Sequence, residues 1–136
     1  MSDNQEIAEI RKKTPERLRL TMETTLNPAI NPVIEPIVHE FKAALQSLYG
    51  DRLHGVVLYG SYARGDYNEE SDIDLMVLLN DEQVNTYTEI FQMSDLSMDF
   101  ILRYGIAVSV LPAPIDRYRN SFGPVYQDAR CEGIWL

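Results

Sequence analysis

Cysteine is almost missing from this chain. The single copy, Cys131, has no partner for an internal disulfide, and with neither a second cysteine nor a histidine beside it a cysteine-based metal site is not indicated. Free cysteine is commonly a small buried hydrophobe, which is the expectation for Cys131. Histidine is nearly as scarce. His39 falls inside an apolar helical pattern and His54 near the start of a strand, neither with a ligand partner close in sequence, so both are read as residues without chemistry. No apolar run reaches 18 residues, and nothing here reads as a membrane-spanning helix. The opening Met1-Ser2-Asp3-Asn4-Gln5-Glu6 lacks the basic-then-apolar order of a signal peptide, so the cytoplasm is the expected location.

Basic charge is the other shortage. Twelve Lys and Arg stand against 21 Asp and Glu, a formal net charge of −9. Residues 1 to 19 hold five of the basic groups and four of the acidic ones, which leaves −10 for everything after them. Non-specific binding to a phosphate backbone rests on clustered Lys and Arg. Direct nucleic-acid binding is therefore not expected, and polymerase or RNA-tailing functions lose ground. What is present is ordinary globular material: 136 residues, 45% hydrophobic and 24% charged, enough for one core and too few for two.

Residues 1–33 read as an arm, partly helical or flexible, ahead of a domain over 34–136. Thr14 and Pro15 suggest the start of a short helix over about 15–25, and Asn27-Pro28 and Asn31-Pro32 then punctuate the chain. From Pro36 to Tyr49, the residues Ile37, Val38, Phe41, Ala44, Leu45 and Leu48 recur at helical spacing, and Gly50 stands where a C-terminal cap belongs. The spacing predicts strands over 53–59, 72–79 and 106–111, the last closed by Pro112-Ala113-Pro114. A long helix is expected from Asp81 to Tyr104, ending at Gly105, and short helices over 115–120 and 125–132.

The chemistry concentrates in residues 60–75. Asp72 and Asp74, two apart on a strand, point the same way and can share a hard cation such as Mg²⁺; two such carboxylates repel unless something neutralises them. Aspartates lining the solvent face of a half-buried strand are the plain alternative, although Asp is disfavoured in strands and this face continues into Met76 and Leu78. Upstream, a strand that stops at Gly60-Ser61 leaves backbone bare for a ligand, and the residues after it can begin a helix whose N–H groups meet an anion. Ser61 adds a hydroxyl. Arg64 can meet phosphate or a partner, or pair with its acidic neighbours Asp66, Glu69 and Glu70.

Gly60-Ser61, ten residues, then Asp72-x-Asp74 resembles the motif of the DNA polymerase β nucleotidyltransferase superfamily. The local form, Gly-Ser-x-Ala-Arg-Gly with Ser71-Asp72-x-Asp74-Leu75, is similar to its minimal nucleotidyltransferase branch, often antitoxins encoded beside a HEPN-domain toxin. The resemblance covers residues 53–80 closely and 104–133 more loosely. It implies an α/β (α+β) fold, a small mixed sheet with helices mainly on one side. It also implies transfer of AMP from ATP to a hydroxyl, with Asp72 and Asp74 as catalytic residues holding Mg²⁺ and Ser61 as a catalytic phosphate donor. Gly60, Ser61, Arg64 and Ser71 would bind the nucleotide. A HEPN-domain toxin, joined in a hetero-oligomer, is the implied partner, and its tyrosine hydroxyl the implied acceptor.

One departure stands out. Many members place a third carboxylate on the next strand, whereas here that strand is Ile106-Ala107-Val108-Ser109-Val110-Leu111, with Ser109 near the expected place and Asp99 the acid available on the preceding helix. Two other readings compete with toxin adenylylation. One is nucleotidyl transfer to a small molecule such as an aminoglycoside, for which so short a chain leaves little room to shape a pocket. The other is an antitoxin that acts by binding alone.

Overall fold

The computed structural model describes residues 29–136; the helix expected over about 15–25 lies outside them. Four strands, β1 (Leu53–Tyr59), β2 (Ile73–Leu79), β3 (Val108–Pro114) and β4 (Ile134–Trp135), form one sheet in the order β3-β2-β1-β4. β1 is antiparallel to β2 and β4, while β2 and β3 are parallel. Among the described residues five α-helices surround it: α1 (Glu35–Tyr49), α2 (Ser61–Arg64), α3 (Thr86–Tyr104), α4 (Ile115–Asn120) and α5 (Pro124–Glu132).

Alternation along β2 divides the core. Ile73, Leu75, Val77 and Leu79 face the two long helices, α1 and α3, whose Phe41, Leu45, Met93 and Phe100 complete the larger cluster. Met76 and Leu78 face the short pair α4 and α5, with Val57, Tyr118 and Ala129. The helices thus lie mainly on one side, as expected, and the smaller pair covers part of the side that Asp74 shares. Ile30, within the segment read as an arm, is buried in the larger cluster.

Local signals set the ends. α1 stops at Gly50, whose φ of 56° suits glycine and whose N–H donates to Gln46 O. Its last buried residue is Tyr49 rather than Leu48, because the Tyr49 hydroxyl donates to Glu89 at 2.8 Å inside a network in which Arg52 pairs with Asp81 and Glu89 at 2.9 Å each. α3 begins at Thr86 rather than Asp81, since the Asn85 side chain accepts from Thr88 N–H and caps it there. β3 runs on through Pro112 and Pro114. These prolines alternate on an edge strand, where the missing N–H groups interrupt no ladder. β4 was not expected; Gly55 makes room for it, since a β-carbon there would run into the Trp135 ring. Cys131 is exposed, contrary to the expectation of burial, because α5 turns Ala129 inward and a residue two positions on faces away. His39 sits 3.2 Å from Glu35 and His54 2.9 Å from Asn80, structural contacts both. No helix among the described residues is long and apolar enough to cross a membrane.

Phe41 is fully buried and meets Phe100 edge-on, ring centroids 4.8 Å apart. Phe41→Ala should therefore cost about 3–5 kcal/mol. Urea unfolding should show the midpoint falling with the slope unchanged; a loss under about 1 kcal/mol would mean that α1 and α3 are not packed through this pair.

Candidate active site

Where β1 leaves the sheet, Gly60 takes φ 76° and ψ −155°, and a β-carbon on it would overlap the Asp74 carboxylate. Glycine is required for both reasons. The chain then turns into the single helical turn of α2: Ala63 N–H and Arg64 N–H donate to Gly60 O at 3.1 and 3.0 Å, and Gly65, at φ 90°, ends the turn by donating to Ser61 O. Ser61 and Tyr62, as the first helical residues, have N–H groups with no carbonyl one turn earlier to bond. The Ser61 side chain stands at the same turn.

Ser71 closes the turn ahead of the carboxylates, its hydroxyl accepting from Asn68 N–H at 2.9 Å and its N–H donating to Asn68 O at 3.1 Å. Asp72, exposed, and Asp74, half-buried, follow on one face of the β2 end. Burial first, and then the negative charge of Asp72, raise the Asp74 carboxyl above its ordinary pKa; Arg64 opposes the shift only weakly. Arg64 is otherwise engaged, 3.2 Å from Asp66 and 3.0 Å from Glu132 on α5, which is the ion-pair alternative stated for it. Neither Asp72 nor Asp74 has an ion-pair or hydrogen-bond partner among the described residues.

Tyrosines that sequence reasoning missed surround the pair. Tyr59 lies directly across β1–β2 from Asp74, its hydroxyl pushed up to about 12 by burial, then by Asp74 and Tyr126. Tyr62 stacks on Tyr67, centroids 4.6 Å apart and planes 12° from parallel, and Tyr67 takes a hydrogen bond from the Asn31 side chain. Strand parity is the signal for Tyr59: Val57 and Tyr59 share the face of Met76 and Asp74. Nothing local in sequence announces the Tyr62–Tyr67 stack, which needs the loop to fold back.

The β2–β3 register sets Ser109 beside Asp74. Asp99 is not brought to the site: it lies on α3, against the other face of the sheet, bonded to Arg103 at 3.1 Å. Among the described residues no three His, Cys, Asp or Glu side chains gather into a metal-binding group.

The folded state holds the Asp74 proton more tightly than the unfolded chain does, so at this residue acidification favours folding and rising pH withdraws that contribution. Without added metal, Asp74→Asn should unfold at a higher temperature than the parent at about pH 7. The advantage should vanish near about pH 3, where the carboxyl is protonated in both states. Melting curves that show Asp74→Asn destabilised at neutral pH would contradict the charge argument.

Residues 38–117 match the family of the nucleotidyltransferase domain. Two proteins of Methanocaldococcus jannaschii, both named as protein adenylyltransferases, are similar to this chain. One is 38% identical over 72 residues, covering 53% of this chain and 71% of its own. The other is 36% identical over 74 residues, covering 54% and 67%. Among solved structures, a crystal structure of a toxin-antitoxin with AMP-PNP shares the fold at TM-score 0.50 and 21% identity, covering 71% of this chain and 69% of that one. The family match spans α1 to α4 and so takes in both the Gly60 turn and the Asp72–Asp74 strand end. The chain belongs to the nucleotidyltransferase domain family and is a nucleotidyltransferase.

Proposed function

We propose that this nucleotidyltransferase transfers AMP from ATP to a tyrosine hydroxyl of a partner HEPN-domain toxin, acting as its antitoxin. The observation that carries the reading is the uncompensated carboxylate pair, Asp72 and Asp74, set against a glycine-serine turn with free N–H groups. The names of the two adenylyltransferase relatives support protein as the acceptor class, and the resemblance to antitoxins of the minimal branch supports the toxin.

The residues fit Mg²⁺. Both donors are hard carboxylate oxygens, and Asp74 is held above its ordinary pKa first by burial and then by the neighbouring Asp72 charge, the second of which a bound cation would relieve. Asp72 and Asp74 would hold the ion, which when bound supplies charge neutralisation and Lewis-acid polarisation at the phosphates. Ser61 and the first N–H groups of α2 bind the β- and γ-phosphates and stabilise the charge that collects on them as they leave. Gly60 keeps that backbone against Asp74, so the hydrogen-bond donors for phosphate and the carboxylates lie side by side at one end of the sheet. Ser71 holds the turn that presents Asp72, and Arg64 ties α2 to α5 at the edge of the nucleotide site.

The acceptor oxygen forms a bond to the α-phosphorus as the bond to pyrophosphate breaks, and the acceptor's proton passes to solvent. Ser109 holds the strand position where an acid would serve as base. A phenol suits this arrangement, since with a pKa of about 10 it gives up its proton far more readily than an aliphatic hydroxyl.

Titration calorimetry with Mg-ATP tests the carboxylates. Asp72→Asn combined with Asp74→Asn should abolish Mg²⁺-dependent binding, and equal affinity would remove both from the site. Ser61→Ala should slow transfer by roughly 10- to 1,000-fold with the fold intact; an unchanged rate would reduce Gly60-Ser61 to a turn. For the acceptor, a HEPN-domain partner co-expressed with the parent should gain the mass of one or more AMP groups on tyrosine, and none with Asp72→Asn. A neutralised but unmodified partner would point to inhibition by binding alone.

A further inference from the structure

Helix α3 has a second apolar stripe that its core does not use. Tyr87, Phe91, Met98 and Leu102 are 87, 80, 58 and 78% exposed, with Ile90 and Ile101 alongside. At about 100° per residue, positions 87, 91, 94, 98 and 102 fall in one narrow band, turned away from the buried Met93 and Phe100. Scattered exposed apolar residues are ordinary, but a continuous band along a helix of 19 residues is rarely left bare on a monomer. A shallow groove toward the β3 edge, floored by Val108 and Val110, widens the same surface.

We propose that this stripe is the contact between two copies of the chain, paired through antiparallel α3 helices. The inference concerns assembly and goes beyond the transfer reaction. Its warrant is the symmetry of the stripe. Positions 87 and 102, and likewise 91 and 98, are equidistant from the point between Ser94 and Asp95, so a two-fold axis there sets Tyr87 against Leu102 of the second copy and Phe91 against Met98 of the second copy. A thioether against an aromatic ring is a favourable pairing. Ser94 lies at the crossing, where a small residue lets helix axes approach to about 8–10 Å. Its hydroxyl already donates to Phe91 O at 2.7 Å, so closure leaves Ser94 satisfied, while the exposed Asp95 beside the axis has to keep its carboxylate in water at the border of the band.

Size fits the same occupant. A stable interface buries about 800 Å² on each partner. Two aromatic side chains of about 150–250 Å² each, with Leu102 and Met98 more than half exposed and Ile90 and Ile101 less so, approach that figure. Asp99, Arg103 and Glu40 form an ion-paired flank suited to a rim. The opposing term is the −9 carried by each copy, which repels at low ionic strength.

Sedimentation of the full chain is the test. The parent should be a dimer at micromolar concentration, tighter as salt shortens the Debye length toward about 8 Å. Phe91→Lys and Met98→Glu should each weaken the dimer by about 100-fold, with circular dichroism and nucleotidyl transfer unchanged, since neither residue touches the active site. Combining the two should recover dimer, because antiparallel pairing brings each introduced lysine opposite an introduced glutamate. A parent that stays monomeric up to about 100 µM overturns the proposal and assigns the stripe to the chain's own first 28 residues or to a different protein. A dimer indifferent to the single changes overturns the stripe as interface, and a double variant that fails to recover overturns the antiparallel register.

Discussion

The Gly60 backbone passes so close to the Asp74 carboxylate that no β-carbon fits between them. That approach is a consequence of the β1–β2 register, which pairs Tyr59 with Asp74 and delivers the end of one strand to the start of the next. From it follow the left-handed backbone at Gly60, the immediate start of α2 without a side-chain cap, and the half-buried position that makes Asp74 reluctant to ionise. Slip the register by one residue and Asp74 moves to the α1–α3 face, where its charge would lie among Phe41 and Phe100. The same pairing thus builds the sheet and excludes every arrangement in which the carboxylate could be neutralised by the core.

The two ends of the sheet treat charge differently. At the far end, Arg52 meets both Asp81 and Glu89, and hydrogen bonding to Arg52 lowers the Asp81 pKa below the usual carboxylate range. At the near end, Asp72 and Asp74 have no comparable cation, and the one close arginine is held by Asp66 and Glu132. Unbalanced charge of this kind is a mark of a candidate functional site. Stability at the far end lets the near end keep its repulsion.

The proposed site could be read from the sequence because its residues lie close together in the chain. Gly60, Ser61, Ser71, Asp72 and Asp74 lie within fifteen positions, and the two-residue period of a strand suffices to set the aspartates on one face. The faces of β2 were legible for the same reason, and α1 because its apolar spacing and Gly50 agree. What the sequence did not disclose depends on distant partners. β4 is two residues long, too short for a pattern, and is held by Trp135 over Gly55. The identity of Tyr49 as the buried end of α1 rests on Glu89, 40 positions away. Cys131 is apolar enough for a core, yet α5 turns it outward. The Asn31–Tyr67–Tyr62 cluster joins residues that only the folded loop brings together.

Pro112 and Pro114, residues that ordinarily end a strand, lie within β3 on the sheet's edge. Parallel pairing of β2 with β3 must wait for the intervening crossover, α3, to close, and contacts of such sequence separation form late. Until then the apolar run Val108 to Leu111 is unpaired in the folding chain, the kind of segment that zips onto a neighbouring molecule. Two residues that cannot donate a backbone hydrogen bond cap that run, acting as gatekeepers against misassembly during the slowest part of folding while costing the finished sheet nothing.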